Sequence, residues 1–130
     1  MGSTANISIV DDDESVRTAM GRLVRSLGYR AHEFASAEAF LASPVLAETA
    51  CLVTDIQMPG MSGLDLQDEL RARGNALPVI FITAFPSDAV RVRTEAGGAA
   101  GLFVKPVDVQ AMIACLEAEL GRSAGGGRPP

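Results

Sequence analysis

"ACLVTDIQMPGMSG", Ala50 to Gly63, decides how the rest of the chain is read. Ala50 to Thr54 is a continuous apolar run, not an alternating one. A strand of that kind belongs in a parallel sheet covered on both faces. The run delivers one carboxylate, Asp55, and the chain then turns through Met58-Pro59-Gly60. A lone acid at a strand tip has four readings: a helix cap, a surface accident, a metal ligand or a nucleophile.

Working outward, the same unit recurs. "NISIV" (Asn6–Val10) reads as a strand, and Val16, Met20, Leu23 and Leu27 follow at helical spacing up to Gly28. "YRAHEF" (Tyr29–Phe34) alternates like a half-buried strand. "SAEAFLAS" (Ser36–Ser43) opens on Ser, carries Glu38 in its first turn and stops at Pro44, which marks a short helix. Ser62 to Arg73 is helical, with Leu66 and Leu70 on one face and Gly74 behind it. "PVIFIT" (Pro78–Thr83) is a strand, Pro86 to Ala96 a weaker helix closed by Gly97-Gly98, and "GLFVK" (Gly101–Lys105) a fifth strand. Val109, Met112, Ile113, Leu116 and Leu120 mark a last amphipathic helix. Strict strand–helix alternation with right-handed crossovers predicts an α/β, doubly wound, five-stranded parallel sheet with helices on both faces.

The bulk properties set bounds. The chain has 130 residues, enough for one domain, and 48% of them are apolar. Residues 1–122 are expected to form that domain, and "SAGGGRPP" (Ser123–Pro130) a flexible tail or severed linker. The net charge of −5 argues against direct contact with nucleic acid. No apolar run approaches the roughly 20 residues of a membrane span, and no secretory pattern opens the chain. A cytoplasmic protein is expected. The two cysteines, Cys51 and Cys115, read as buried thiols in apolar surroundings.

In open α/β sheets the functional site lies beyond the carboxyl ends of the strands. Those ends carry Asp11, Asp12 and Asp13, then Asp55, then Thr83, then Lys105 followed by Pro106. Asp11, Asp12 and Asp55 in one pocket repel one another, and a divalent cation relieves that repulsion. Hard oxygen ligands suit Mg²⁺, with Mn²⁺ as a substitute. Phosphoryl transfer depends on neutralising the equatorial oxygens. The metal, the Lys105 ammonium and the Thr83 hydroxyl offer one partner each, which leaves Asp55 as the nucleophile. The bland readings are specific too. Asp13 reads as the N-cap of the first helix, His32 as a surface or satisfied histidine, and Met58 and Met61 as loop packing. Arg71 with Arg73, and Arg91 with Arg93, read as solvated faces.

Taken together, "IVDDDESVR", "LVTDIQMPGMSGLDL", "VIFITA" and "GLFVKP" resemble the receiver domain of bacterial two-component response regulators, in particular its FixJ-type group. The resemblance covers about residues 6–120. It implies strand order 2-1-3-4-5. It implies a sensor histidine kinase or phosphotransfer protein as donor, with a downstream protein, a linked output domain or a second copy as the reader. It makes Asp55 the phosphoacceptor, and gives the metal to Asp11, Asp12, Asp55 and the backbone carbonyl of Gln57. It implies a cis bond between Lys105 and Pro106. Gln57 and Phe85 become modulating positions beside the opening over Asp55, with Phe85 a shield against water. Receivers usually carry an aromatic three residues before the Lys, whereas this chain has Leu102 there and Phe103 next. One residue changes the face of a strand, so Phe103 is expected in the core and the aromatic switch to be missing.

Two other functions compete. A phosphohydrolase working through an aspartyl phosphate would carry a second Asp as general acid, where this chain has Gln57. A non-phosphorylated receiver-like interaction module would not need the five site residues it retains. About ten residues follow the last helix, too few for a helix-turn-helix output. The expectation is a single-domain regulator or a receiver cut from a longer one.

Overall fold

The computed structural model describes residues 5–124. In chain order the elements are β1 (Asn6–Val10), α1 (Glu14–Ser26), β2 (Arg30–Phe34), α2 (Ala37–Leu41), a 3₁₀ turn (Pro44–Glu48), β3 (Cys51–Asp55), α3 (Gly63–Ala72), β4 (Val79–Thr83), α4 (Asp88–Ala96), β5 (Gly101–Val104) and α5 (Val109–Ala124). The strands form one parallel sheet in the order β2-β1-β3-β4-β5. This is the doubly wound architecture and strand order expected from the sequence.

Side-chain alternation divides the interior into two cores. Ile7, Ile9, Cys51, Val53, Ile80 and Ile82 point to the face covered by α1 and α5, where Met20, Val24, Met112 and Leu116 meet them. Val10, Leu52, Val79 and Phe81 point the other way, onto Phe40 of α2 and Leu66 and Leu70 of α3. Every residue of β3 and β4 is buried, as continuous apolar runs require. Phe40 and Phe81 are fully buried, and each such side chain stabilises the fold by about 1.5–3 kcal/mol.

Helix starts are specified locally. Asp13 Oδ1 accepts from the N–H groups of Ser15 and Val16 at 2.9 and 3.3 Å, so Asp13 is the N-cap foreseen. Ser36 caps α2 through the Ala39 N–H at 3.1 Å. Ser62 and Asp65 form a reciprocal capping box at 3.1 and 3.2 Å. The Ser62 N–H, donating to Asp65 Oδ2, is the main reason the Asp65 carboxyl lies below its ordinary range.

Several boundaries and roles differ from the sequence reading. β2 starts at Arg30, and its residues are not alternately buried. It is an edge strand whose Ala31 packs on one core and Phe34 on the other, while Glu33 pairs with Arg25 at 3.1 Å. Pro44 ends α2 but also opens a 3₁₀ turn capped by Ser43. α4 begins at Asp88, after the Ser87 cap, two residues later than expected. β5 stops at Val104, so Lys105 stands just beyond the strand. α5 continues through Ala124, into the stretch read as tail, and the rest of that tail, 125–130, lies outside the described residues. Cys51 is buried, and burial pushes its thiol up to about 12; Cys115 is only partly buried.

Arg71 departs most from its expected role. It is no solvated-face residue: Nη1 donates to the carbonyls of Asn75 and Leu77 at 3.1 and 3.4 Å, and Nη2 to Gly97 O at 3.2 Å. Buried Gln67 Nε2 donates to the same Gly97 carbonyl at 3.1 Å. The two bonds to the Gly97 carbonyl tie α3 to the C-terminal end of α4, and the other two hold the loop that follows α3. Arg71→Met keeps the stem and removes the donors. It is expected to lower stability by about 1–2 kcal/mol, readable in a urea melt at unchanged slope.

Candidate functional site

The sheet register assembles the site. Val10 pairs with Thr54, so Asp11 and Asp55, one step further, leave adjacent strands side by side. Asp55 pairs with Ile82, and Thr83 with Val104, so Thr83 and Lys105 complete the same edge. The Lys105 N–H donates to Thr83 O at 2.8 Å and holds that end of the edge together. The Lys105–Pro106 peptide bond is cis.

Asp55 is 5% exposed and Asp11 2%, whereas Asp12 is exposed. Oxygens of all three carboxylates lie within 4.8 Å of one another. Lys105 Nζ sits 3.5 Å from Asp11 Oδ2 and 3.6 Å from Asp55 Oδ2. Asp55 Oδ1 accepts from the Ile56 N–H at 2.9 Å, and Asp11 Oδ1 from the Asp13 N–H at 2.9 Å. Arg17 Nη1 donates to the Asp11 carbonyl at 2.7 Å. Thr83 Oγ1 donates to Gln57 Oε1 at 2.8 Å and accepts from the Phe85 N–H at 3.0 Å.

Electrostatics follow from that crowding. Burial, and then the Asp11 carboxylate, push the Asp55 carboxyl up to about 6, against the pull of the Lys105 ammonium and the Ile56 N–H. Burial likewise raises Asp11. One ammonium does not offset three clustered carboxylates. Asp11 Oδ2 is buried and accepts no hydrogen bond among the described residues. Among the described residues that oxygen has only the Lys105 ammonium beside it, at 3.5 Å, and, facing two more carboxylates, it fits a hard divalent cation. Asp11, Asp12 and Asp55 are the side chains able to hold it.

The family model for the response regulator receiver domain matches residues 7–117.

The chain belongs to the response regulator receiver family.

Among curated relatives, the transcriptional regulatory protein FixJ of Azorhizobium caulinodans is 41% identical over 98% of this chain and 61% of its own length. The response regulator protein TodT of Pseudomonas putida is 37% identical over 88% of the chain and 50% of its own. The receiver described here thus spans about half to three fifths of the length of these relatives. Among solved structures, the response regulator StyR superposes with a TM-score of 0.85 at 37% identity, covering 94% of this chain and 62% of its own. A structure of FixJ-N gives 0.79 at 29% identity, covering 98% and 99%.

The structure brings Asp11, Asp12, Asp55, Thr83, Lys105 and Gln57 to one edge. It leaves Phe85 at the rim, 68% exposed. Leu102 packs toward the core beneath α3 and α4, and Phe103 toward the opposite core, with α5. Phe103 is only partly buried there, packed against the core rather than within it, on the face that the strand's pleat gives it. Sequence reasoning missed Arg17, which orients the backbone of Asp11. It also missed the side-chain bond between Gln57 and Thr83. Neither has a spacing signal, because each depends on a turn geometry that only the folded edge defines.

Proposed function

We propose that Asp55 accepts a phosphoryl group from a phosphohistidine on a sensor histidine kinase or phosphotransfer protein. An Asp55 carboxylate oxygen attacks phosphorus, the P–O bond forms, the P–N bond breaks, and the imidazole leaves with a proton from solvent. The observation that carries this is the half-neutralised pocket: the buried Asp55 and Asp11 carboxylates share one ammonium, Lys105 Nζ, at 3.6 and 3.5 Å. When bound, Mg²⁺ supplies the missing positive charge, on Asp11, Asp12, Asp55 and the Gln57 carbonyl. Lys105 holds a phosphoryl oxygen by charge, and the Thr83 hydroxyl turns to another. The modified chain then presents a changed surface to a downstream protein, a linked output domain or a second copy. It works as a switch in the cytoplasm, assisting its own phosphorylation and dephosphorylation without turning over a separate substrate. The test is intact mass after incubation with a small acyl-phosphate donor, with and without Mg²⁺.

A phosphate-independent interaction module is the second reading, and Leu102 in place of an aromatic is the observation favouring it. That reading expects no adduct under any condition.

Two further results are expected of the site. Phe85 is apolar and stands at the rim, so Phe85→Glu is expected to admit and polarise water there and to shorten the phosphoryl lifetime. An unchanged decay rate dismisses the shielding role. The second concerns pH. A carboxyl raised from 3.8 to about 6 on folding binds more protons in the folded state across that window. Stability therefore falls as pH rises through it, and the full penalty stands above about 6. Without metal, the parent is expected to lose more melting temperature than Asp55→Asn between about pH 4.5 and about pH 7. Mg²⁺ is expected to narrow that difference. Parallel pH profiles for the two chains contradict it.

A further inference from the structure

One hydrogen bond in the site does nothing to hold the carboxylates. The Thr83 hydroxyl donates to Gln57 Oε1 at 2.8 Å, and the same hydroxyl oxygen accepts from the Phe85 N–H at 3.0 Å. Thr83 is fully buried, so bulk water does not substitute for either partner. A hydroxyl carries one proton, and an amide oxygen accepts but never donates. The Thr83 proton is therefore committed to Gln57. A phosphoryl group on Asp55 would present oxygens that act mainly as acceptors at neutral pH. Thr83 can serve such an oxygen only by withdrawing its proton from Gln57. The two bonds exclude each other.

We infer that the side chain of Gln57 is a resting-state latch on Thr83, which must open before Thr83 can engage a phosphoryl group. The inference rests on the phosphoacceptor reading of Asp55. Gln57 is here a positioning residue, since its side chain acts through Thr83. Gln57 lies on the exposed loop after β3, so its freed amide is taken up by water. Release is therefore reversible, and its cost is that of one ordinary hydrogen bond. The latch also sits on the same residue whose backbone carbonyl is proposed for the metal. Filling the metal site and freeing Thr83 then involve one short stretch of chain.

The test is a double-mutant cycle on the full chain with beryllofluoride. This anion sits on a carboxylate oxygen and offers fluorides as acceptors in place of phosphoryl oxygens. Its dissociation constant is measured by calorimetry at saturating Mg²⁺ for the parent, Gln57→Met, Thr83→Val and the double variant. Gln57→Met is expected to bind about 3- to 10-fold more tightly than the parent. In the Thr83→Val background the same substitution is expected to change nothing, which a merely structural role would not produce. Gln57→Asn, one methylene shorter, is expected to lose the bond to Thr83 and repeat the gain. No tightening, or equal tightening in both backgrounds, overturns the latch while leaving the phosphoacceptor reading in place. A parent that takes up no beryllofluoride overturns both.

Discussion

Incubated with a small acyl-phosphate donor and Mg²⁺, the parent chain gains one phosphoryl group and the Asp55→Asn chain gains none. The reason is chemical before it is structural. An amide oxygen is a poor nucleophile and carries no charge for Lys105 to orient. The neighbouring acids do not replace it. Asp11 is 2% exposed, with one oxygen held by the Asp13 N–H and the other beside Lys105, and Asp12 is exposed to water. The same substitution has the opposite sign for stability. It removes a buried carboxylate that its surroundings drive toward protonation, so the metal-free variant is expected to melt above the parent at neutral pH. Loss of the adduct together with a gain in melting temperature marks a functional group held at the expense of the fold. An adduct on Asp55→Asn, or one on the parent that ignores chelation of Mg²⁺, sinks the assignment.

Gly63→Ala is expected to be the most damaging single-methyl change near the site. A Cβ at Gly63 would lie 2.2 Å from the backbone oxygen of Asp55 and 3.1 Å from Cα of Ile56. Both are main-chain atoms of the strand end, so neither gives way by rotating. The Gly63 N–H already donates to Ile56 O at 2.9 Å, which fixes α3 against β3 at that distance. Alanine recovers at most about 1 kcal/mol of helix propensity. The clash must instead lift the start of α3 off the strand that carries Asp55, and overpacking of this kind costs about 2–3 kcal/mol. A fall in melting temperature of roughly 6–10 °C is expected for a domain of this size. Gly121→Ala on α5, where a Cβ meets nothing within 4 Å, serves as the control and is expected to stabilise. Equal melting of the two variants contradicts the close approach.

How much of this was legible in the sequence depends on the range of the interaction. Helix caps are read from residues two or three apart, and Asp13 and Ser36 were visible for that reason, whereas Ser62, read as the first helical residue, is the cap of α3. The buried strands were visible because burial on both faces leaves an unbroken apolar run, as in β3 and β4. The site was visible because parallel strands must end on one edge, so Asp11, Asp55, Thr83 and Lys105 could be set side by side without any contact being known. What escaped was set by partners distant in the chain. Gln57 and Thr83 are 26 residues apart, and Gln67 and Gly97 are 30 apart. No local pattern distinguishes Arg71, bonded to three carbonyls, from an arginine on a wet helix face. β2 misled for a related reason: at the sheet's edge its burial is shared between two cores and a surface ion pair, so alternation never develops.

The Gly97 carbonyl has one more consequence. Gln67 and Arg71 grip it from α3, and it stands at the far end of α4 from Thr83. Arg93 adds to that hold, pairing with Asp68 of α3 at 2.7 Å, whereas the near end of α4, at Ser87 and Asp88, has its own cap and a partly buried Val90 but no comparable grip among the described residues. A rod clamped at one end does not slide when its other end is pushed; it pivots. A movement of the loop between Thr83 and Ser87 is thus expected to swing α4 about its held C-terminal half, with the largest excursion at the Ser87 end. α4 is a lever, and α3 carries its fulcrum.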